Sequence, residues 1–219
     1  MNRTTSESLE GARASLLTEL AHDVVDQRVL DAMARVAREE FVGADAGPVA
    51  YQNRPLPIGH GQTISQPLMV ALMTQALMLT GDESVLEVGT GSGYQAALIS
   101  LLAAHVVSVE RVPELATSAS ERLGRLGYSN VEVHGVTDEL GWPQGAPYDG
   151  IIVTAASPDI PRPLLDQLAM NGRLVLPVGS RDIQELVRIV KTPAGAQRHN
   201  LGSCRFVPLL GRGAWPEAR

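Results

Sequence analysis

The residues best placed to do chemistry cluster at a glycine turn, Gly89-Thr90-Gly91-Ser92-Gly93, which follows the apolar run Val85-Leu86-Glu87-Val88. A strand that feeds a turn and then a helix puts that turn at the carboxyl end of a parallel strand, where open α/β sheets bind ligands. Glycine lets the backbone approach a ligand without a Cβ in the way and permits positive φ. The spacing is G-x-G-x-G, and Tyr94 stands where a dinucleotide fingerprint carries its third glycine. Such a helix start is not built to seat a diphosphate in the usual way. Glu110 closes the next strand, where a carboxylate can accept both hydroxyls of a ribose and repels a 2′-phosphate. The plainer alternatives are an ordinary loop for the turn and a solvated strand-end carboxylate for Glu110. Ribose and adenine without a diphosphate describe S-adenosylmethionine. Gly89, Thr90, Gly91 and Glu110 are therefore expected to hold that cofactor, with Glu87 meeting its cationic amino acid end.

The elements that must position these residues alternate. Strands are predicted over 84–88, 105–110, 131–134, 150–154 and 173–177, and helices over 67–80, 94–103, 113–126 and 161–170. Strands alternating with helices imply parallel pairing with right-handed crossovers, hence an α/β fold with a doubly wound, mostly parallel Rossmann-like sheet. Two later runs, 185–190 and 203–209, read as antiparallel strands at one sheet edge. Upstream, 16–41 is helical with a break near Asp26, 42–66 is rich in Gly, Pro, Gln and Asn and reads as irregular, and 1–12 reads as a flexible tail. The expected organisation is one domain over 13–219: a helical and irregular substrate-side cap (13–80), a cofactor-binding core (81–180) and C-terminal edge strands (181–219).

Composition narrows the function. With 44% hydrophobic and 19% charged residues over 219 positions, the chain has the make-up of an ordinary globular protein long enough for one sizeable core. A net charge of −6 with scattered Lys and Arg argues against nucleic acid as a partner. Cys204 is the single cysteine, and His22, His60, His105, His134 and His199 show no metal-ligand spacing, so no disulfide and no metal are expected. The polar first residues lack the apolar core of a secretion signal, and the greasiest run, 67–79, is too short to span a bilayer. No membrane association, a cytoplasmic location and a monomeric state are the expectations.

Upstream of the turn lies Gly61-Gln62-Thr63-Ile64-Ser65-Gln66-Pro67, within a longer run from Ala50. By this stretch the sequence resembles the protein-L-isoaspartate O-methyltransferases. Supporting matches are Leu140-Gly141-Trp142-Pro143, Val153-Thr154-Ala155-Ala156 and Arg205-Phe206-Val207-Pro208-Leu209. The resemblance implies that Ser65 is the active-site serine and that Gln62, Thr63 and Ile64 line the cofactor beside it. It also implies the substrate: L-isoaspartyl residues of damaged proteins or peptides, methylated on the freed α-carboxylate as the first step of repair. A carboxylate is already ionised at neutral pH, so no general base is required, and positioning and water exclusion remain. Ser65 is then an orienting hydrogen-bond donor. Its alternative reading is a helix N-cap ahead of Pro67. Arg205, Phe206 and Val207 are expected to bind substrate, with their strand adding to the substrate backbone.

One departure stands out. The family usually carries Gly-Asp-Gly after the third strand, its Asp contacting the adenine amino group. Here the run is His134-Gly135-Val136-Thr137-Asp138, so Thr137 or Asp138 must take that contact. Asn53, where the family more often has Asp, is a smaller change. Competing readings are a relative dedicated to Asp side chains of one peptide, an NAD-linked oxidoreductase, and a cofactor-binding protein without turnover.

Overall fold

The computed structural model describes residues 3–211 and 213–216, with side chains from residue 8 onward. Helix α1 (Arg3–Leu20) occupies most of the stretch expected to be a tail, which corrects that expectation for residues 3–12; residues 1 and 2 lie outside the described residues. Leu9, Leu16 and Leu20 fall on one face at helical spacing and are buried, so α1 is held by packing that its polar opening sequence hides. Arg13 fixes it further, donating to the Tyr51 hydroxyl, the Ala34 carbonyl and Glu39. The expected break falls where Asp26 caps α2 (Gln27–Arg35), its carboxylate accepting the Arg28 N–H.

The stretch 42–66 is more ordered than its composition suggests. It contains an antiparallel hairpin, β1 (Leu56–Gly59) and β2 (Gln62–Ile64), turned by Gly59, His60 and Gly61, all at positive φ. Next comes α3 (Pro67–Ala76). Its side-chain cap comes from a distance: Asn53 Oδ1 accepts the Leu68 N–H at 3.1 Å.

The central sheet has seven strands in the order β5-β4-β3-β6-β7-β8-β9. In chain order these are β3 (Ser84–Val88), β4 (His105–Glu110), β5 (Val131–Gly135), β6 (Tyr148–Val153), β7 (Leu168–Gly179), β8 (Gln184–Thr192) and β9 (Gly195–Cys204). The first five run parallel, and the β7–β8 and β8–β9 pairs are antiparallel. Helices α4 (Tyr94–Ser100), α5 (Pro113–Arg125) and α6 (Arg162–Gln167) make the crossovers. Two apolar clusters cover the sheet's two faces. Val85 and Val106 point into the one shared with α1 to α5, while Leu86, Val88, Val107 and Val109 point into the one shared with α6. Alternation along a strand therefore sends Glu87 and Ser108 to the α4 side.

The expected strand over 203–209 is corrected. The edge strand is β9, which ends at Cys204, and 205–209 instead crosses the ends of the parallel strands as an irregular segment. There Ala156 N–H donates to the Val207 carbonyl and Leu209 N–H to the Ala156 carbonyl. The physical reason is exposure: nine of the ten β9 residues face solvent, so no apolar alternation marks the strand, whereas the apolar 206–209 run is drawn inward over the sheet end.

Candidate active site

Strand order reverses between β4, β3 and β6, and a cleft opens at their carboxyl ends, with about 970 Å³ of atom-free space that includes its open mouth. That is the topological switch point at which such sheets take ligands. The glycine turn forms its base. Gly89, Gly91 and Gly93 hold φ of 101°, 52° and 88°. At Gly89 the need is also steric, because a Cβ would lie 2.4 Å from the Thr154 hydroxyl oxygen. Thr154 uses that closeness to donate to the Gly89 carbonyl at 2.7 Å.

Two carboxylates meet the cleft from adjacent strands. Glu110 accepts the Gly91 N–H at 2.8 Å and the Val112 N–H at 2.9 Å, so it shapes the turn as well as facing the ligand space. Each oxygen keeps further lone-pair capacity for ligand hydroxyls. Glu87 is fully buried and accepts a hydrogen bond from Ser108, which is itself in contact with the Thr90 hydroxyl. Burial pushes the Glu87 carboxyl up to about 8; the Ser108 hydrogen bond opposes this and nearby Glu110 adds to it. Its second oxygen, Oε1, has no hydrogen-bond partner among the described residues. A buried acceptor left unpaired costs about 1–3 kcal/mol, which a ligand donor would recover.

The opposite wall is Gln62, Thr63, Ile64 and Ser65, so the structure brings this run and the glycine turn to one cleft. Ser65 is not the N-cap of α3: that position is Gln66, which makes no side-chain cap bond. The Ser65 backbone is held from below by Arg38, a fully buried side chain that the sequence reading missed. Arg38 donates through Nη2 to the Ser65 carbonyl at 2.8 Å and through Nε to the Ala50 carbonyl at 2.8 Å. Its guanidinium also lies 4.8 Å from the centre of the Tyr94 ring, another wall of the cleft. An arginine inside a short polar run has no sequence signal separating it from a solvated one.

Other expected residues fall elsewhere. Thr137 and Asp138 are exposed and do not line the cleft; among the described residues Thr137 exchanges hydrogen bonds with the Glu139 backbone. In their place Val136 and Leu140 face the ligand space, and Val136 is 44% exposed, a large apolar side chain awaiting cover. Of the expected substrate residues, Val207 lines the cleft, together with Pro208 and Leu209, while Arg205 points to solvent and Phe206 packs against the core. The Phe206 N–H is already committed to Gln184 Oε1, so with the Val207 carbonyl also taken the segment is not a free edge for strand addition.

A glycine turn answered by a carboxylate on the next strand, in a parallel sheet finished by an antiparallel pair, defines the class: a Rossmann-like α/β methyltransferase fold. The family model for protein-L-isoaspartate(D-aspartate) O-methyltransferase matches residues 12–214. The chain is 53% identical over 196 residues to protein-L-isoaspartate O-methyltransferase 1 of Syntrophobacter fumaroxidans, covering 90% of this chain and 92% of that one. It is 47% identical over 219 residues to protein-L-isoaspartate O-methyltransferase 2 of Marinobacter nauticus, covering 99% and 100%. A solved protein-L-isoaspartate O-methyltransferase superposes with a TM-score of 0.81 at 28% identity over 91% of this chain, which spans 66% of that structure's length. A Plasmodium falciparum structure assigned to the same enzyme, in complex with S-adenosyl-L-homocysteine, gives 0.75 at 27% identity, covering 88% of this chain and 95% of that one. The chain belongs to the protein-L-isoaspartate O-methyltransferase family. Among the described residues no helix is long and apolar enough to cross a membrane, and no group of His, Cys, Asp or Glu could hold a metal ion.

Proposed function

We propose that the chain uses S-adenosylmethionine to methylate the free α-carboxylate of L-isoaspartyl residues in damaged proteins and peptides. The observation that carries this reading is the meeting of two walls: Ser65 and its neighbours face the glycine turn across one cleft. The residues present fit the cofactor. Glu110 offers acceptors for ribose hydroxyls, the unpaired Glu87 Oε1 for an ammonium, and Val136 and Leu140 an apolar surface for a flat base.

When bound, S-adenosylmethionine supplies an electrophilic methyl carbon on a sulfonium. The chain's own part is to position and dehydrate. The Ser65 hydroxyl hydrogen-bonds one oxygen of the substrate carboxylate and aims the other along the line of attack. Arg38 keeps Ser65 at that point through its carbonyl. The Val207–Leu209 segment, clamped to Ala156, screens the reacting groups from water. No residue need take a proton, since a peptide carboxylate with a pKa near ~4 is already ionised. Positioning of this kind can supply about 7–11 kcal/mol of barrier lowering. The reading includes a monomer acting in the cytoplasm on isoaspartyl proteins and peptides, without a nucleic-acid partner. Steady-state transfer to an isoaspartyl peptide tests the reading. Ser65→Ala should lower kcat/KM about tenfold or more with unchanged folding, by loss of a hydrogen bond to a charged group. An unchanged kcat/KM would remove Ser65 from the site.

A further inference from the structure

The first turn of α4 holds a polar side chain that the proposed mechanism does not use. Gln95 is 6% exposed, lines the cleft, and sits in a helix whose other neighbours there are apolar. Its amide orientation is fixed by its partners. The Thr74 hydroxyl spends its single proton on the Val70 carbonyl at 2.7 Å, so it can only accept from Gln95, and it does so from Nε2 at 2.8 Å. That leaves Gln95 Oε1 as a buried acceptor with no partner among the described residues. Glu87 Oε1 is the other buried side-chain oxygen without a partner that lines the same cleft, an acceptor once a cation beside it ionises the carboxyl. Two such acceptors select a ligand group that is cationic and carries several N–H donors. An ammonium has three; a ribose or a base edge does not match both charge and donor count.

We infer that Gln95 is a specificity-determining residue for the cofactor, its Oε1 accepting a hydrogen bond from the α-ammonium of the methionyl moiety. The inference rests on reading the cleft as an S-adenosylmethionine site. Gln95 reaches the ligand from α4 while anchored to α3, the helix that begins two residues after Ser65. It thereby ties the cofactor's amino acid end to the helix that follows the substrate-side serine.

The test compares two ligands sharing the adenosine and sulfur but differing in the amino acid group: S-adenosylhomocysteine and 5′-methylthioadenosine, the latter lacking the ammonium. Affinities are measured by calorimetry for wild type, Gln95→Leu and Gln95→Met. Both variants should bind S-adenosylhomocysteine about ten- to a hundredfold more weakly, the range for a lost hydrogen bond to a charged group. Binding of 5′-methylthioadenosine should stay within about twofold, which also reports that the variant is folded; the unbranched Gln95→Met serves if Gln95→Leu does not fold. Equal weakening of both ligands, or no weakening of either, would overturn the role of Gln95 while leaving the cofactor reading intact. A wild type that binds neither ligand would overturn both.

Discussion

Replacing Arg38 with methionine keeps the unbranched bulk and removes the charge and its donors. In the wild type these donors satisfy the Ala50 and Ser65 carbonyls inside the protein, where water cannot substitute. Each carbonyl stranded in that way costs about 1–3 kcal/mol. Against this, the variant no longer carries the desolvation cost of a buried guanidinium, the same burial that lowers the Arg38 pKa. Two stranded carbonyls therefore set a loss of at most about 2–6 kcal/mol, reduced by that relief. For a chain of this size that corresponds to a fall in Tm of at most about 4–24 °C. Arg38→Lys keeps the charge and can reach one carbonyl, so it should recover part of the stability. The kinetic consequence separates positioning from mere stability. Assayed well below its Tm, Arg38→Met should show a reduced kcat for an isoaspartyl peptide because the Ser65 segment loses its anchor, and Arg38→Lys should restore part of it. A Tm within about 2 °C of wild type together with an unchanged kcat would refute the reasoning.

Four other outcomes are expected. Burial holds the Glu87 carboxyl at about 8 in the folded state against an ordinary glutamate value of 4.5, so across that window the folded chain keeps a proton that the unfolded chain has released. Ligand-free stability should therefore be greatest below the unfolded value and fall as pH rises through about 8; Glu87→Gln should flatten that profile in denaturant titrations. Placing an ammonium beside Glu87 favours its ionised form, so S-adenosylhomocysteine binding at neutral pH should release protons, seen as a binding heat that differs between phosphate and Tris buffers. Gly89→Ala, with a Cβ 2.4 Å from the Thr154 hydroxyl and φ of 101°, should destabilise by about 2–4 kcal/mol and abolish ligand binding; a calorimetric titration matching wild type would count against the turn as the cradle. Asp138→Ala and Thr137→Ala should leave S-adenosylhomocysteine affinity within about twofold, whereas Val136→Ser should weaken it by roughly the worth of a buried aliphatic side chain, about 1.5–3 kcal/mol.

Much of the frame was legible because buried parallel strands are continuous apolar runs. The bounds of β3 and β4 coincide with those read from the sequence, and the turn and Glu110 fall between and after them as expected. Where apolar patterning is weak the reading slipped. β9 is an exposed edge strand with no alternation to detect, whereas 203–209, with its apolar 206–209 run, carries a strand signal and yet crosses the sheet end beyond Cys204. The hairpin over 56–64 hid in a stretch whose glycines and prolines read as irregular, and α1 hid behind a polar opening with few buried residues. Within the site, the spacing of the glycine turn carried local information, while Arg38 and Gln95 depend on carbonyl and hydroxyl partners from distant segments that only the fold brings together. Thr137 and Asp138 illustrate the converse: an ungapped sequence offset expects them at the ligand, yet both are exposed outside the cleft, and Val136 lines it. Gln95 did leave a trace, as a lone amide near the start of an apolar helix.

The central claim is that this cleft selects the α-carboxylate of an isoaspartyl residue. The most direct measurement offers the purified protein radiolabelled S-adenosylmethionine and a pair of peptides identical except for an isoaspartyl or an ordinary aspartyl linkage. The account predicts base-labile methyl ester on the isoaspartyl peptide, little on its aspartyl twin, and a strongly reduced yield with Ser65→Ala. Equal labelling of both peptides, or labelling of the aspartyl twin alone, would contradict it.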